Sequence, residues 1–137
     1  MTRRVLILSS LAACARADDA AQAWDLLASA ASALSQGNAV YFLSLCDSKS
    51  PGYETLRANI GALLDAMDVQ SSIDLVSNEG DAGRRTIAVD WSLRLAPRSR
   101  GAAPVQRRQN IKCVLEKRGR TWRIESLAPA EFFALPR

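Results

Sequence analysis

The sequence predicts an α+β domain in which helices come first and an antiparallel sheet of about four to six strands follows. Three observations carry this. Apolar residues recur at helical spacing as far as Met67, and at every second position beyond Val69. The strand-like stretches are joined by short connections such as "NEGDAG" and "RGR", which suit hairpins rather than crossover helices. The 137 residues suffice for one domain with a single core.

The elements follow in order. Asp18 and Asp19 are candidate N-caps for a first helix, "AAQAWDLLASAASALSQGN". Its apolar stripe is Trp24, Leu27, Ala28, Ala31 and Leu34, and Gly37 is a natural stop. Asn38 can cap a short second helix, "AVYFLSLC", which is apolar almost all round and so expected to be largely buried. Ser50 followed by Pro51 predicts the start of a third helix, running to Met67, with Leu56, Ile60, Leu63, Leu64 and Met67 on one side. Strands are then expected at "SSIDLVS", "RRTIAVDWSLRLAPR", "VQRRQNIKCVLEK" and "TWRIESL". The tail "APAEFFALPR" brings Phe132 and Phe133 to an otherwise polar end.

The first residues read as a targeting segment. "MTRR" is basic, "VLILSSLAA" is apolar, and "ARA" is a small-x-small cleavage site ahead of Asp18. Residues 1–17 are therefore expected to be a signal peptide and 18–137 the mature domain, exported to the periplasm. "LAAC" also fits a lipobox, in which Cys14 would carry the lipid of a membrane-anchored lipoprotein. Apart from such an anchor, no contact with a membrane is expected, because no apolar run reaches the roughly 20 residues of a spanning helix.

Eighteen basic and fourteen acidic residues give a net charge of +4. Three of the bases, Arg3, Arg4 and Arg16, lie in the signal segment, so the mature chain is nearly neutral and a nucleic-acid partner is not expected. The charge is divided along the chain: residues 18–83 hold ten acids and two bases, residues 84–137 thirteen bases and four acids. Acidic helices against a basic sheet would neutralise part of this; a basic surface for an anionic partner is the alternative. The chain has no His and no C-x-x-C spacing, so neither a metal site nor a cofactor is expected. Cys46 and Cys113 would remain after export, either paired as a disulfide or as two buried thiols.

The stretch "TIAVDWSLRL" offers the clearest candidate chemistry. Ile87, Val89, Trp91, Leu93 and Leu95 share one face; Asp90, Ser92 and Arg94 share the other. Asp90 with Tyr41 or Tyr53 has the composition of an acid/base set, a carboxylate to remove a proton and a phenol to hold an oxyanion. The alternation places Asp90 opposite to the apolar face, among bases such as Arg94 or Lys112. No catalytic residue is therefore assigned. In "VQRRQNIKCVLEK", Arg107 and Gln109 share the face of Ile111, Cys113 and Leu115. The loop "PRSRGAAPVQRR" gathers Arg98, Arg100, Arg107 and Arg108, which suit a solvated hairpin tip or an anion.

These elements, with the closing stretch "CVLEKRGRTWRIESLAPAEFF", resemble the nuclear transport factor 2-like superfamily, including its SnoaL-like and ketosteroid isomerase-like branches. The resemblance covers roughly residues 18–133. It implies a cone-shaped sheet wrapped around the helices, often with a pocket at the open end and often dimeric through the outer face. Pocket candidates are Trp24, Tyr41, Tyr53, Trp91, Arg107, Gln109, Trp122 and Phe133. Outer-face candidates are Ala88, Asp90, Ser92, Lys112 and Val114. The expected role is a non-catalytic domain that binds a small apolar ligand or a protein. The alternatives are an isomerase, cyclase or dehydratase acting in the cone, and a homodimeric structural module.

Overall fold

The computed structural model describes the backbone of residues 2–99 and 101–136, and within these the side chains from residue 18 onward. The side chains of residues 1–17, Cys14 among them, and Arg100 lie outside the described residues, so the expectations placed on them are not addressed.

Helix α1 spans Thr2–Ser35 and does not start at Asp18 or Asp19. The Ala-rich run has no breaker there, and Asp19 finds a charged partner instead of helical N–H groups: it is buried and receives Lys117 Nζ at 2.9 Å. The helix stops where the sequence says it should. Gly37 takes φ +68°, its N–H bonds to Leu34 O at 3.1 Å, and Asn38 N–H reaches Ala33 O at 2.9 Å. This pairing satisfies the last carbonyls of the helix.

Helix α2 spans Ala39–Ser44 and is capped by Asn38, whose side-chain oxygen accepts from Tyr41 N–H at 3.0 Å. Only Phe42 is buried; Val40 is 81% exposed, so the expectation of a largely buried helix is wrong. With one turn and a half, α2 lays a single face on the core. Helix α3 spans Tyr53–Ala66 and starts two residues later than Pro51 suggested. Pro51 is spent in a turn closed by Tyr53 N–H on Ser50 O at 3.1 Å, which leaves Gly52 at the N-cap with no side chain to bond. The buried face of α3 is Leu56, Ile60, Leu63 and Leu64.

Strands β1 (Met67–Gly80), β2 (Arg84–Pro97), β3 (Val105–Arg118) and β4 (Thr121–Ala128) form an antiparallel sheet in the order β1-β2-β3-β4. β1 is twice as long as its sequence pattern suggested. It is an edge strand, and much of it is solvated, so it lacks a continuous apolar row. Bulges at Leu75/Ser77 and Val114/Leu115 bend the sheet. Its inner face carries Ile87, Val89, Trp91, Leu93 and Leu95 from β2 and Ile111, Cys113 and Leu115 from β3, all buried. A 3₁₀ turn, Ala130–Phe133, follows β4 and returns to the inside. Among the described residues, three ion pairs join the acidic first half to the basic second half: Asp19–Lys117, Asp47–Arg118 and Asp68–Arg98.

Candidate functional site

The concave side of the sheet is the natural place for a ligand, and it is filled with the chain's own side chains. Trp91 is fully buried and its indole N–H donates to Ser71 Oγ at 2.9 Å. Ser71 N–H in turn donates to Ser35 Oγ at 2.9 Å, which ties the central tryptophan to the end of α1. Phe133 is also fully buried and stands edge-on to Trp91, with ring centroids 5.0 Å apart and planes at 84°. Phe132 contacts Phe133 at 5.2 Å and Phe42 lies 6.4 Å from it. Such edge-to-face pairs add to the apolar burial of each ring.

Arg107 holds this tail in place. Its Nη1 donates to Phe132 O at 2.8 Å and also to Ala134 O. One guanidinium thus clasps the backbone on both sides of Phe133. Partial burial draws the Arg107 pKa below its ordinary value, while the two carbonyls supply hydrogen bonds that water would otherwise provide. Asn59 adds a bond to Ala130 O at 3.3 Å. Gln109, expected beside Arg107 on the inner face, is exposed. It lies opposite Trp91 in the register, in an open groove of about 600 Å³ that Arg107 and Phe132 also line.

The remaining pocket candidates are dispersed. Trp24 is half-buried against the core, Trp122 is buried beneath Lys117 (5.9 Å from ammonium to ring), and Tyr41 is exposed on α2. Tyr53 is half-buried at the start of α3, away from Trp91, and lines a separate surface groove. Asp90, Tyr41 and Tyr53 are therefore not brought together. Asp90 points outward, to Arg108 rather than to Arg94 or Lys112, with Arg108 Nε at 2.8 Å from its carboxylate. The hydrogen bond from Arg108 holds the Asp90 carboxyl below its usual range. Asp74 lies directly opposite Asp90 in the register, and the charge of Arg108 offsets the repulsion between them.

The outer face around this pair is mixed in character. Ala88, Ser92 and Val114 are half-buried, and Lys112 is exposed opposite Ala88. The described arginines of this stretch do not converge on one anion: Arg98 pairs with Asp68, Arg107 clasps the tail, and Arg108 holds Asp90. Cys46 and Cys113 are separate buried thiols, and burial pushes each pKa up to about 12. No cluster of three metal-ligating side chains occurs among the described residues.

Sequence reasoning missed a second concavity, a groove of about 620 Å³ between α2, the α2–α3 connection and the β3–β4 hairpin. No periodicity marks it, because it is made where the connection crosses the sheet edge.

No protein-family model matches the sequence, and no curated protein matches it. Solved structures do. A conserved protein from Planctomyces limnophilus superposes with a TM-score of 0.73 at 13% identity, covering 82% of this chain and 94% of that one. A protein from Novosphingobium aromaticivorans assigned as a scytalone dehydratase gives 0.69 at 6% identity over 93% of this chain and 85% of its own. A protein from Streptomyces avermitilis assigned as a dehydratase of the nuclear transport factor 2-like family gives 0.62 at 10% identity over 82% and 95%. At these identities the likeness is one of fold.

Proposed function

We propose that this chain, which has the nuclear transport factor 2-like fold, is an exported, non-catalytic binding domain that works through its surface. The observation that supports this reading best is Phe133 seated on Trp91 where a substrate would lie, with Arg107 closing the tail over it. The buried side chains that β2 and β3 turn to the inner face are apolar apart from Arg85, which is held by Asn78. Arg107 and Gln109 are the polar residues paired with Leu93 and Trp91, and the carboxylate that composition singled out, Asp90, is turned to the outside. A dehydratase or isomerase needs a proton acceptor in contact with its substrate. Export is proposed from the basic, apolar and small-residue order of residues 1–17, with Cys14 lipidation or cleavage after Ala17 as its two routes. Asp19, just beyond that cleavage position, is already anchored by Lys117, which suits a mature domain starting at residue 18.

The partner we propose is a protein or a small ligand at the surface. A second copy of the chain through the face of Ala88, Asp90, Ser92, Lys112 and Val114 is the arrangement we favour, because that face mixes half-buried small residues with charged groups. A second reading, a dehydratase acting in the cone, draws on the names of two structural neighbours. Turnover assays separate the two. Residues 18–137, offered a ketosteroid and a polyketide-like hydroxyaromatic, are expected to leave both unchanged. Turnover that disappears in Trp91→Phe would overturn the non-catalytic reading.

A further inference from the structure

We infer that the groove between α2, the α2–α3 connection and the β3–β4 hairpin is a binding site for a small organic anion carrying a short apolar chain. The inference rests on the surface-binding reading above and gives it a place and a ligand chemistry.

The groove is built on backbone bonds. Asp47 N–H donates to Ile124 O at 2.8 Å and Ile124 N–H to Leu45 O at 2.9 Å, so the connection is stapled to the edge of β4. This fixes what the connection carries. The groove is lined by the cations Lys49, Arg118 and Arg123 and by the apolar or aromatic side chains of Val40, Leu43 and Tyr53. Among the described residues, the only carboxylate lining the groove is Asp47. It is already engaged, accepting from Lys49 N–H at 3.0 Å and from Arg118 Nη2 at 2.8 Å. Glu116, outside the groove, stands 4.0 Å from the same Arg118 nitrogen. Arg123 uses Nη1 on Ser44 O. The other guanidinium nitrogens of Arg118 and Arg123, and the Lys49 ammonium, have no protein partner among the described residues. Three cations around one spent carboxylate leave the groove positive, and guanidinium and ammonium donors suit a carboxylate or phosphate.

The apolar lining is equally specific. Val40 is 81% exposed on the helix that borders the groove. Cys46 and Tyr53 line both the groove and a smaller, mostly apolar recess of about 60 Å³ between α3 and β4. That recess has room for roughly two methylene groups, judged against about 30 Å³ for a water molecule. A head group among the cations can therefore send its chain past Tyr53. The size of the groove is that of a small-molecule site.

The test is calorimetric titration of residues 18–137 with hexyl phosphate and hexanoate, with hexanol and hexylammonium as controls, followed by NMR. The two anions are expected to bind at one site, more weakly as salt rises, and the controls are expected not to bind. Binding of phosphate but not carboxylate would assign the head group as a phosphate monoester; the reverse would assign a carboxylate. Lys49→Glu and Val40→Asp alter exposed side chains without partners, so both should fold normally and each weaken binding about tenfold, from lost attraction plus added repulsion or lost apolar contact. Shifts should centre on Val40, Lys49 and Tyr53. Absence of saturable anion binding, equal binding of hexanol, or indifference to both variants would overturn the site and leave the packed-cone reading standing. Shifts centred on Trp91 and Phe133 would overturn both.

Discussion

Phe133 and Arg107 act as one device. The ring supplies the burial and the guanidinium fixes the backbone that presents it. Truncating a buried Phe to Ala costs about 3–5 kcal/mol, so Phe133→Ala should lower the denaturant midpoint sharply. Arg107→Ala leaves two carbonyls without their charged donor and should cost about 1.5–3 kcal/mol. An unchanged midpoint in either variant would contradict this packing. The cysteines give a second prediction. Burial raises both thiol pKa values to about 12, so the thiols stay protonated in the folded chain when an unfolded thiol would already ionise. Their contribution to stability is complete below about pH 8.5 and is lost as pH rises towards 12. Native protein should resist thiol reagents at pH 8, and the Cys46→Ala/Cys113→Ala variant should lose less stability between pH 9 and 12 than the parent. Asp90 has the opposite sign. Its pKa is lowered by Arg108, so its contribution is present above about pH 4 and fades as pH falls through the folded value. Asp90→Asn should therefore flatten the acid side of the stability profile.

The legibility of the elements followed how evenly each is buried. β2 alternates along most of its length and β3 does so from Ile111 to Leu115, and their two faces could be assigned from the sequence because a slip of one residue would invert every side chain. β1 was under-read because an edge strand with solvated positions has no reason to keep the alternation. The start of α1 was misplaced because Asp19 looks like a cap in sequence, and only the fold brings Lys117 to it from the end of β3. Gly37 was legible, since a left-handed residue after an Ala-rich helix almost requires glycine. A Cβ at Gly37 would touch nothing within 4 Å, so its cost is purely conformational. Gly37→Ala should destabilise by about 1–2 kcal/mol, measured by thermal or denaturant unfolding; no loss would show that the α1 stop is set elsewhere.

At the scale of the molecule, the charge division of the sequence is resolved in part by packing. Asp19, Asp47 and Asp68 meet Lys117, Arg118 and Arg98 across the boundary between helices and sheet. The exposed Asp68–Arg98 pair contributes little, whereas Asp19 and Asp47 are largely buried in theirs, so packing absorbs part of the division and the rest shapes the surface potential. The fold class and the two faces of the sheet were readable from one sequence. The filling of the cone was not, because "EFF" in a polar tail carries no period and its destination depends on where Arg107 and Trp91 stand in space. The groove beside α2 was illegible for the same reason, its parts coming from three separate segments.

The central claim is that the interior of the cone is occupied by the chain itself. NMR titration with indole, comparing the parent protein with Phe133→Ala, tests it most directly. The account predicts no interior binding to the parent, and binding to Phe133→Ala with shifts at Trp91 and Ile111, since an apolar cavity left by a ring accepts a ring. Saturable binding of indole to the parent, with Trp91 and Phe133 both perturbed, would contradict it.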